Sequence, residues 1–196
     1  MIQSNKNVHV SAILAMDLQD GIGKNGGMPW HIPEDFKHFK EYTKDKTCIM
    51  GRKTYEDILS YKKKSTGDFL PNRKCVVLSR AAPEYKEKNT YDNIIFVDKD
   101  ISWIRKNVSD GLYGENICII GGASLFEEFA DMYDEISITE IWKDFECDTF
   151  INLAELTYLM DVKDVKELKT DTEYAVNVLI FEKHKYNDNM EDTHAS

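Results

Sequence analysis

The chain has 196 residues, 42% of them apolar and 31% charged, which is the balance of an ordinary soluble globule long enough to bury a core in one domain. A formal net charge of −10 excludes a broad nucleic-acid surface, which needs clustered cations, while leaving room for a local basic pocket. Apolar runs near the N-terminus are too short to span a bilayer, MIQSNKNVHV lacks the regions of a signal peptide, and four dispersed cysteines without a CxxC favour a reducing cytoplasm, with no metal expected.

The continuous apolar run VHVSAILAM (8–16) reads as an interior strand. Gly21, Gly23, Gly26 and Gly27 then make a loop open to dihedrals that other residues avoid. Pro33 suits the first turn of a helix, EDFKHFKEYT, and Asp35 beside it is favoured by the unpaired amides there. Asp35 shares a face with Phe39 one turn on, with Phe36 at its flank. Two readings stay open: a solvent-facing first-turn charge, or a carboxylate facing a cavity lined by Phe39, where it could accept N–H groups from a flat heterocycle.

TCIMG (47–51) is a strand followed by the helix RKTYEDILSY, and Arg52, Lys53 and Thr54 at its start form a phosphate seat. YKKKSTGDF is expected to be a solvated surface loop carrying Lys62, Lys63 and Lys64. KCVVLS (74–79) is a strand ending in Ser79-Arg80, and NIIFV (93–97) is another, followed by the helix DISWIRKNV. ICIIGG (117–122) leads through Gly121-Gly122 into the helix ASLFEEFADM, a geometry suited to close approach by a pyrophosphate although it falls short of GxGxxG. Three anion seats after separate strands suggest a bisphosphorylated cofactor in a cleft at the strand ends. EISITEI (135–141) and EYAVNVLIFEKHKY (173–186) add antiparallel pairing, with no helix of similar quality between them. Strand and helix alternation predicts an α/β fold with helices on both faces of a largely parallel sheet. The expected organisation is one domain over 1–186 and a polar, disordered tail over 187–196. Trp103 and Trp142 are assigned to packing, Cys48, Cys75 and Cys118 to buried strands, and His31 to solvent.

AILAMDLQDGIGKNGGMPW, IPEDFKHF, IMGRKTYEDI, FLPNRKCVVLSR, ICIIGGASLFEEF and EISITEIWKDFECDTFI stand in an order and at distances that resemble the motifs of the dihydrofolate reductase family, over roughly residues 8–183. The resemblance implies that family's three-layer fold, with a central mixed, mostly parallel eight-stranded sheet and an antiparallel C-terminal strand. It implies NADPH-dependent reduction of 7,8-dihydrofolate to 5,6,7,8-tetrahydrofolate, by hydride transfer to C6 and protonation of N5. Related reductases of a pterin or pyrimidine intermediate, and a noncatalytic nucleotide-binding protein, are the alternatives.

Carried onto this chain, the family's catalytic positions fall on Asp35, Met28, Trp30 and Thr139. Asp35 would hold the pterin's 2-amino and N3 edge with Thr139 in the same network, the N5 proton would arrive through water, and Met28 would cover the nicotinamide. The substrate cavity would use Ile13, Phe36, Phe39, Ile58, Leu70 and Ile120, with Arg73 as the clamp for the glutamate α-carboxylate. The cofactor would meet Ala15, Ile22, Gly23, Arg52, Lys53 and Thr54 on one side. On the other it would meet Leu78, Ser79, Arg80, Gly121, Gly122, Ala123, Ser124, Leu125 and Phe126, with Arg52, Ser79 and Arg80 at the 2′-phosphate. Phe126 stands where the family often has tyrosine. The partners implied are 7,8-dihydrofolate and its polyglutamates, bound by a monomer.

Overall fold

The computed structural model describes residues 8–62 and 67–184. Its elements in chain order are β1 (His9–Met16), β2 (Gly21–Gly23), α1 (Pro33–Tyr42), β3 (Thr47–Gly51), α2 (Arg52–Ser60), β4 (Lys74–Leu78), α3 (Ala82–Lys88), β5 (Ile94–Val97) and α4 (Ile101–Ser109). There follow β6 (Asn116–Ile119), α5 (Ala123–Glu128), a 3-10 turn at Ala130–Met132, β7 (Glu135–Ile141), β8 (Thr149–Phe150), α6 (Leu153–Leu156), β9 (Met160–Glu167) and β10 (Val176–Lys183). Eight strands form one sheet in the order β5-β4-β3-β6-β1-β7-β10-β9, while β2 and β8 pair separately. Pairing is parallel from β5 across to β7, and β10 runs antiparallel to both β7 and β9. This is the mixed, mostly parallel eight-stranded sheet expected from the sequence.

Period-two alternation divides the residues of the parallel strands between two large cores, and a smaller third cluster holds Trp30, Ile32, Ile141 and Val176. Val10, Ala12, Leu14 and Met16 of β1, with Ile49, Val76, Ile117 and Ile119, pack against Ile104 and Val108 of α4 and Leu125 and Phe126 of α5. Ile13, Cys48, Met50, Cys75, Val77 and Cys118 face the other way, onto Phe39 of α1, Tyr55 and Ile58 of α2, and Ala82 of α3. Covered on both faces, these strands need no polar side, which is why they read as continuous apolar runs. The topology also sets Cys48 level with Cys75 and with Cys118 on neighbouring strands, all three buried and free.

Several expectations are corrected. The ICIIGG strand ends at Ile119, and the helix from Ala123 stops at Glu128 before the separate 3-10 turn. Between β7 and β10 lies an unforeseen strand, β9, whose residues are almost all solvent-exposed and which is held to the sheet by pairing with β10. Its sequence, MDVKDVKE, carries the charges that suit a sheet edge rather than a buried face. Trp103 and Trp142 are 38% and 53% exposed, so neither is a core packing residue. Lys62 is not a solvated loop cation: its ammonium donates to the carbonyls of Asp68 and Phe69 and lies over the Phe69 and Tyr91 rings. Lys63, Lys64, the boundary at 186 and the tail lie outside the described residues.

The glycine-rich segment after β1 is tied down at both ends. Asp17, almost fully buried, accepts N–H groups from Gln19, Gly21 and Phe145. Burial opposes its charge, yet these N–H donors together hold its carboxyl below the ordinary value. Lys24 and Gly27 exchange backbone hydrogen bonds around Asn25 and Gly26, whose φ values of 54° and 84° define a turn with both central residues left-handed. Asp148 accepts from the Asn25 amide at 2.7 Å, stitching this turn to β8.

Gly21 is required by space, since a Cβ there would stand 2.4 Å from Cys147 Cβ and 2.8 Å from Asp17 Oδ1. Gly21→Ala is therefore expected to destabilise the protein by about 1–3 kcal/mol, the usual cost of overpacking. Adding Cys147→Gly should recover part of the loss. Urea unfolding of the single and double variants checks this, and an additive loss would contradict it.

Candidate active site

The C-terminal ends of β1, β3, β4 and β6 and the turns that follow them open onto one cleft of about 1450 Å³. Along it α2 runs from Arg52, on the side of the glycine turn, toward Tyr61 and Arg73. The glycine loop overhangs it through Ile22, Gly23, Gly26, Gly27 and Met28. Every residue named above for substrate and cofactor lines this cleft. Of the four catalytic positions, Asp35 and Met28 line it, whereas Trp30 and Thr139 stand behind its wall.

At one end of the cleft α1 begins without a side-chain cap, with Pro33 and two acids in its first turn. Asp35 is not a surface residue of that turn. It is 9% exposed, and the Thr139 hydroxyl donates to its Oδ1 at 2.6 Å. Burial pushes the Asp35 carboxyl up from the ordinary value, and the Thr139 hydrogen bond offsets part of that rise. Two further bonds continue the contact between α1 and β7: His38 Nε2 with Ser137 Oγ at 2.8 Å, and Tyr42 Oη donating to Glu135 at 2.7 Å. Burial holds the His38 imidazole below its ordinary value, so near neutral pH it meets Ser137 uncharged. Trp30, wedged edge-on against Phe145, carries a buried indole N–H that finds no acceptor among the described residues. His31 is exposed and touches the Phe36 ring.

Arg73 is a second buried charge, 7% exposed. Its Nε donates to the Pro71 carbonyl at 2.9 Å and its Nη1 to the Thr43 hydroxyl at 3.0 Å, and no carboxylate pairs with it among the described residues. Both contacts are neutral, so the guanidinium is held in place with its charge uncompensated, the condition for receiving a carboxylate from a ligand.

The other end suits an anion. Gly51 and Gly122 cap α2 and α5 without a side-chain acceptor, while α4 is capped by Asp100. Gly121 has φ 126°, and a Cβ on it would stand 2.9 Å from Thr54 Oγ1, so the turn is open to backbone alone. Arg80 and Lys99, each two residues beyond its strand, both line the cleft, since Leu78 of β4 is level with Val97 of β5. Lys99 escaped the sequence reading; its only signal was its distance from the end of NIIFV. Arg52 is less free than expected, since its Nη1 reaches both carboxylate oxygens of Glu56, at 2.8 and 2.7 Å, and Glu56 also accepts from Tyr85. Also missed were Lys40 and Asp57, both in this cleft.

Comparison with known proteins agrees with this geometry. Residues 9–183 match the family described as dihydrofolate reductase. The chain is 32% identical over 179 residues to a dihydrofolate reductase of Buchnera aphidicola subsp. Baizongia pistaciae, covering 90% of this chain and 99% of that one. It is 38% identical over 143 residues to one from Staphylococcus aureus (strain MSSA476), covering 72% and 76%. In structure it is similar to a dihydrofolate reductase from Enterococcus faecalis complexed with NADP(H) and RAB-propyl, with a TM-score of 0.73, 28% identity, and coverage of 90% and 97%.

The raised Asp35 carboxyl has a measurable consequence. Folding makes this acid the better proton binder between the ordinary aspartate value, about 3.9, and its raised value, so wild-type stability falls as pH rises through that window. Asp35→Asn keeps an acceptor for Thr139 and removes the charge. It is expected to be more stable than wild type by on the order of 1 kcal/mol near neutral pH, the gain shrinking toward pH about 4. Urea unfolding at both pH values measures this; an asparagine variant less stable than wild type at neutral pH would contradict it.

Proposed function

The chain belongs to the dihydrofolate reductase family, and from that membership we infer how its own residues carry out the family's reaction. The protein is an oxidoreductase that reduces 7,8-dihydrofolate to tetrahydrofolate with NADPH. The observation that carries the assignment of residues is Asp35, a buried carboxylate held by Thr139 and facing the cleft whose far end gathers Gly121, Arg80 and Lys99.

On this reading Asp35 accepts from the 2-amino and N3 edge of the pterin. Thr139 occupies one of its oxygens and fixes the carboxylate plane from behind the wall. The negative charge opposes the positive charge that develops on the pterin as N5 takes its proton, and a low-dielectric surrounding strengthens that help. Asp35 stands at the pyrimidine edge, so it orients and polarises while the N5 proton comes through water. Trp30, whose buried indole N–H lacks an acceptor among the described residues, supports a bridging role at the same end. Ile13, Phe36, Phe39, Ile58, Leu70 and Ile120 exclude solvent around the rings, and the overhanging turn with Met28 closes the site above them.

The residues at the other end fit NADPH: the glycine turn admits a pyrophosphate, and Ser79, Arg80 and Lys99 supply a polar and cationic seat for the 2′-phosphate. Bound there, NADPH supplies the hydride that C6 receives. Arg52 would join by exchanging Glu56 for phosphate. Leu78, Ser124 and Phe126 line the same half, as do Ala15, Ile22, Gly23, Lys53, Thr54, Gly122, Ala123 and Leu125. Arg73 takes the substrate's α-carboxylate. Lys40, one turn before the Arg73 partner Thr43 on α1, suits further carboxylates of polyglutamate forms better than Lys62, whose ammonium is engaged. The net charge of −10 supports a surface free of nucleic acid, and among the described residues no helix is long and apolar enough to cross a membrane.

In a purified-protein assay, NADPH is expected to be oxidised only when 7,8-dihydrofolate is present, with tetrahydrofolate formed in equal amount. Arg80→Ala should weaken NADPH by about tenfold or more and NADH far less, because a charge-assisted phosphate contact contributes roughly 1.5–3 kcal/mol. Equal losses for both cofactors in direct binding would move Arg80 away from the 2′-phosphate.

Arg73→Ala is expected to raise the KM for monoglutamyl dihydrofolate by at least about tenfold. Lys40→Ala should leave that KM nearly unchanged and reduce the advantage of polyglutamyl substrates, an exposed cation being worth little to a single carboxylate. Similar KM losses from both substitutions with the monoglutamate would reject this division of labour.

A further inference from the structure

Asp57 is a charge in the cleft to which neither the chemistry above nor the sequence motifs give a task. It lies on α2, one turn beyond Lys53 and Thr54 and next to Ile58, which packs with the substrate-side core. The helix therefore carries it at the junction between the cofactor half and the substrate half of the cleft. From above, the loop comes down on it: a Cβ on Gly27 would stand 2.8 Å from Asp57 Oδ1, and Met28 is the next residue.

The carboxylate has no compensation within the protein. Its backbone carbonyl accepts from Ser60 Oγ, but neither side-chain oxygen meets an N–H or O–H donor among the described residues. Arg52, on the same helix, is turned toward Glu56. Burial alone, with nothing to offset it, pushes the Asp57 carboxyl above its ordinary value. A ligand that covers such a group strips away its remaining water, so a ligand that donates a hydrogen bond to it is favoured over one that cannot.

The substrate offers such a donor. With its pterin at Asp35 and its glutamate at Arg73, dihydrofolate stretches along α2, and the secondary amine joining pterin to aryl ring, N10–H, lies between the two anchors. We propose that Asp57 accepts the N10–H of the substrate and makes the enzyme selective for folates whose bridging amine is secondary rather than tertiary. This rests on the functional reading above and assigns a specificity-determining residue within it. Asp57 also explains the glycine above it, because at position 27 any side chain would press on the carboxylate that the substrate must reach.

The test compares kcat/KM, at saturating NADPH, for 7,8-dihydrofolate and its N10-methyl analogue, using the full chain as wild type, Asp57→Ala and Asp57→Asn. Wild type is expected to favour the N10–H substrate by about tenfold. Asp57→Ala should bring the ratio close to one, with the asparagine variant, a neutral and weaker acceptor that preserves side-chain shape, in between. A wild-type ratio near one, or the same ratio in wild type and the alanine variant, overturns the proposal. So does a loss in the alanine variant confined to NADPH affinity in direct binding, which would assign the carboxylate to the cofactor. Absence of dihydrofolate turnover by wild type would strike the functional reading itself, a result separate from all of these.

Discussion

The line of hydrogen bonds between α1 and β7 is the constraint on which the site depends. Asp35, His38 and Tyr42 lie along one face of the helix, and Thr139, Ser137 and Glu135 lie on one face of the strand, running the opposite way. Three and seven residues along a helix cover about 4.5 and 10 Å. Two and four along a strand cover about 7 and 13 Å, so the two rows stay in step over their common length. Each bond is local, yet together they fix the height and rotation of α1, and with it the carboxylate that must face the cleft. The opposite face of β7, through Ile136 and Ile138, is sealed into the core under α4 and α5. Polar contacts set the register of the helix on a sheet whose apolar burial supplies the strength.

That arrangement leaves charges where folding alone would not put them. Buried Asp35 has a hydroxyl but no cation and buried Arg73 has neutral acceptors but no carboxylate, while half-buried Asp57 has no donor among the described residues. An isolated buried charge costs several kcal/mol unless something compensates it. Apolar cores on both faces of the sheet offset that cost, and on the proposed reading the ligands would supply the missing partners. The same logic separates Arg52 from Arg80. Arg52 already has Glu56 as its partner, whereas Arg80 and Lys99 form no ion pair among the described residues.

The loop that overhangs this site is itself well connected. Asp17 fastens its near end to the segment around Phe145, the turn at Asn25 and Gly26 is hydrogen-bonded within itself, and Asp148 holds that turn from β8. Gly21 and Gly27 serve a different purpose from Gly26. They make room, one for Cys147 and the other for Asp57, while Gly26 takes the left-handed dihedral. Glycine content alone would have suggested only freedom of movement.

The sequence by itself determined the layered α/β core, because strands buried on both faces must be continuous apolar runs and the helices between them carry their own start signals. It also determined the ends of the cleft, since Asp35, Arg73, Arg80 and Gly121-Gly122 stand in motifs whose order and spacing are specific to one family. What only the tertiary structure decided are features that depend on pairing between distant segments. β9 exists because β10 offers it an edge, not because MDVKDVKE has a strand's pattern. Lys99 joins Arg80 through the register of β4 on β5, and Cys48, Cys75 and Cys118, far apart in the chain, become neighbours in the same way. Trp142 looked like core and is exposed; Lys62 looked solvated and is bound to carbonyls and rings. Asp57 reads as one more helix-surface acid until the loop and the cleft are placed around it. A side chain's chemistry is local, but its solvation is set by what the rest of the fold brings against it, and that decides whether a charge is surface or site.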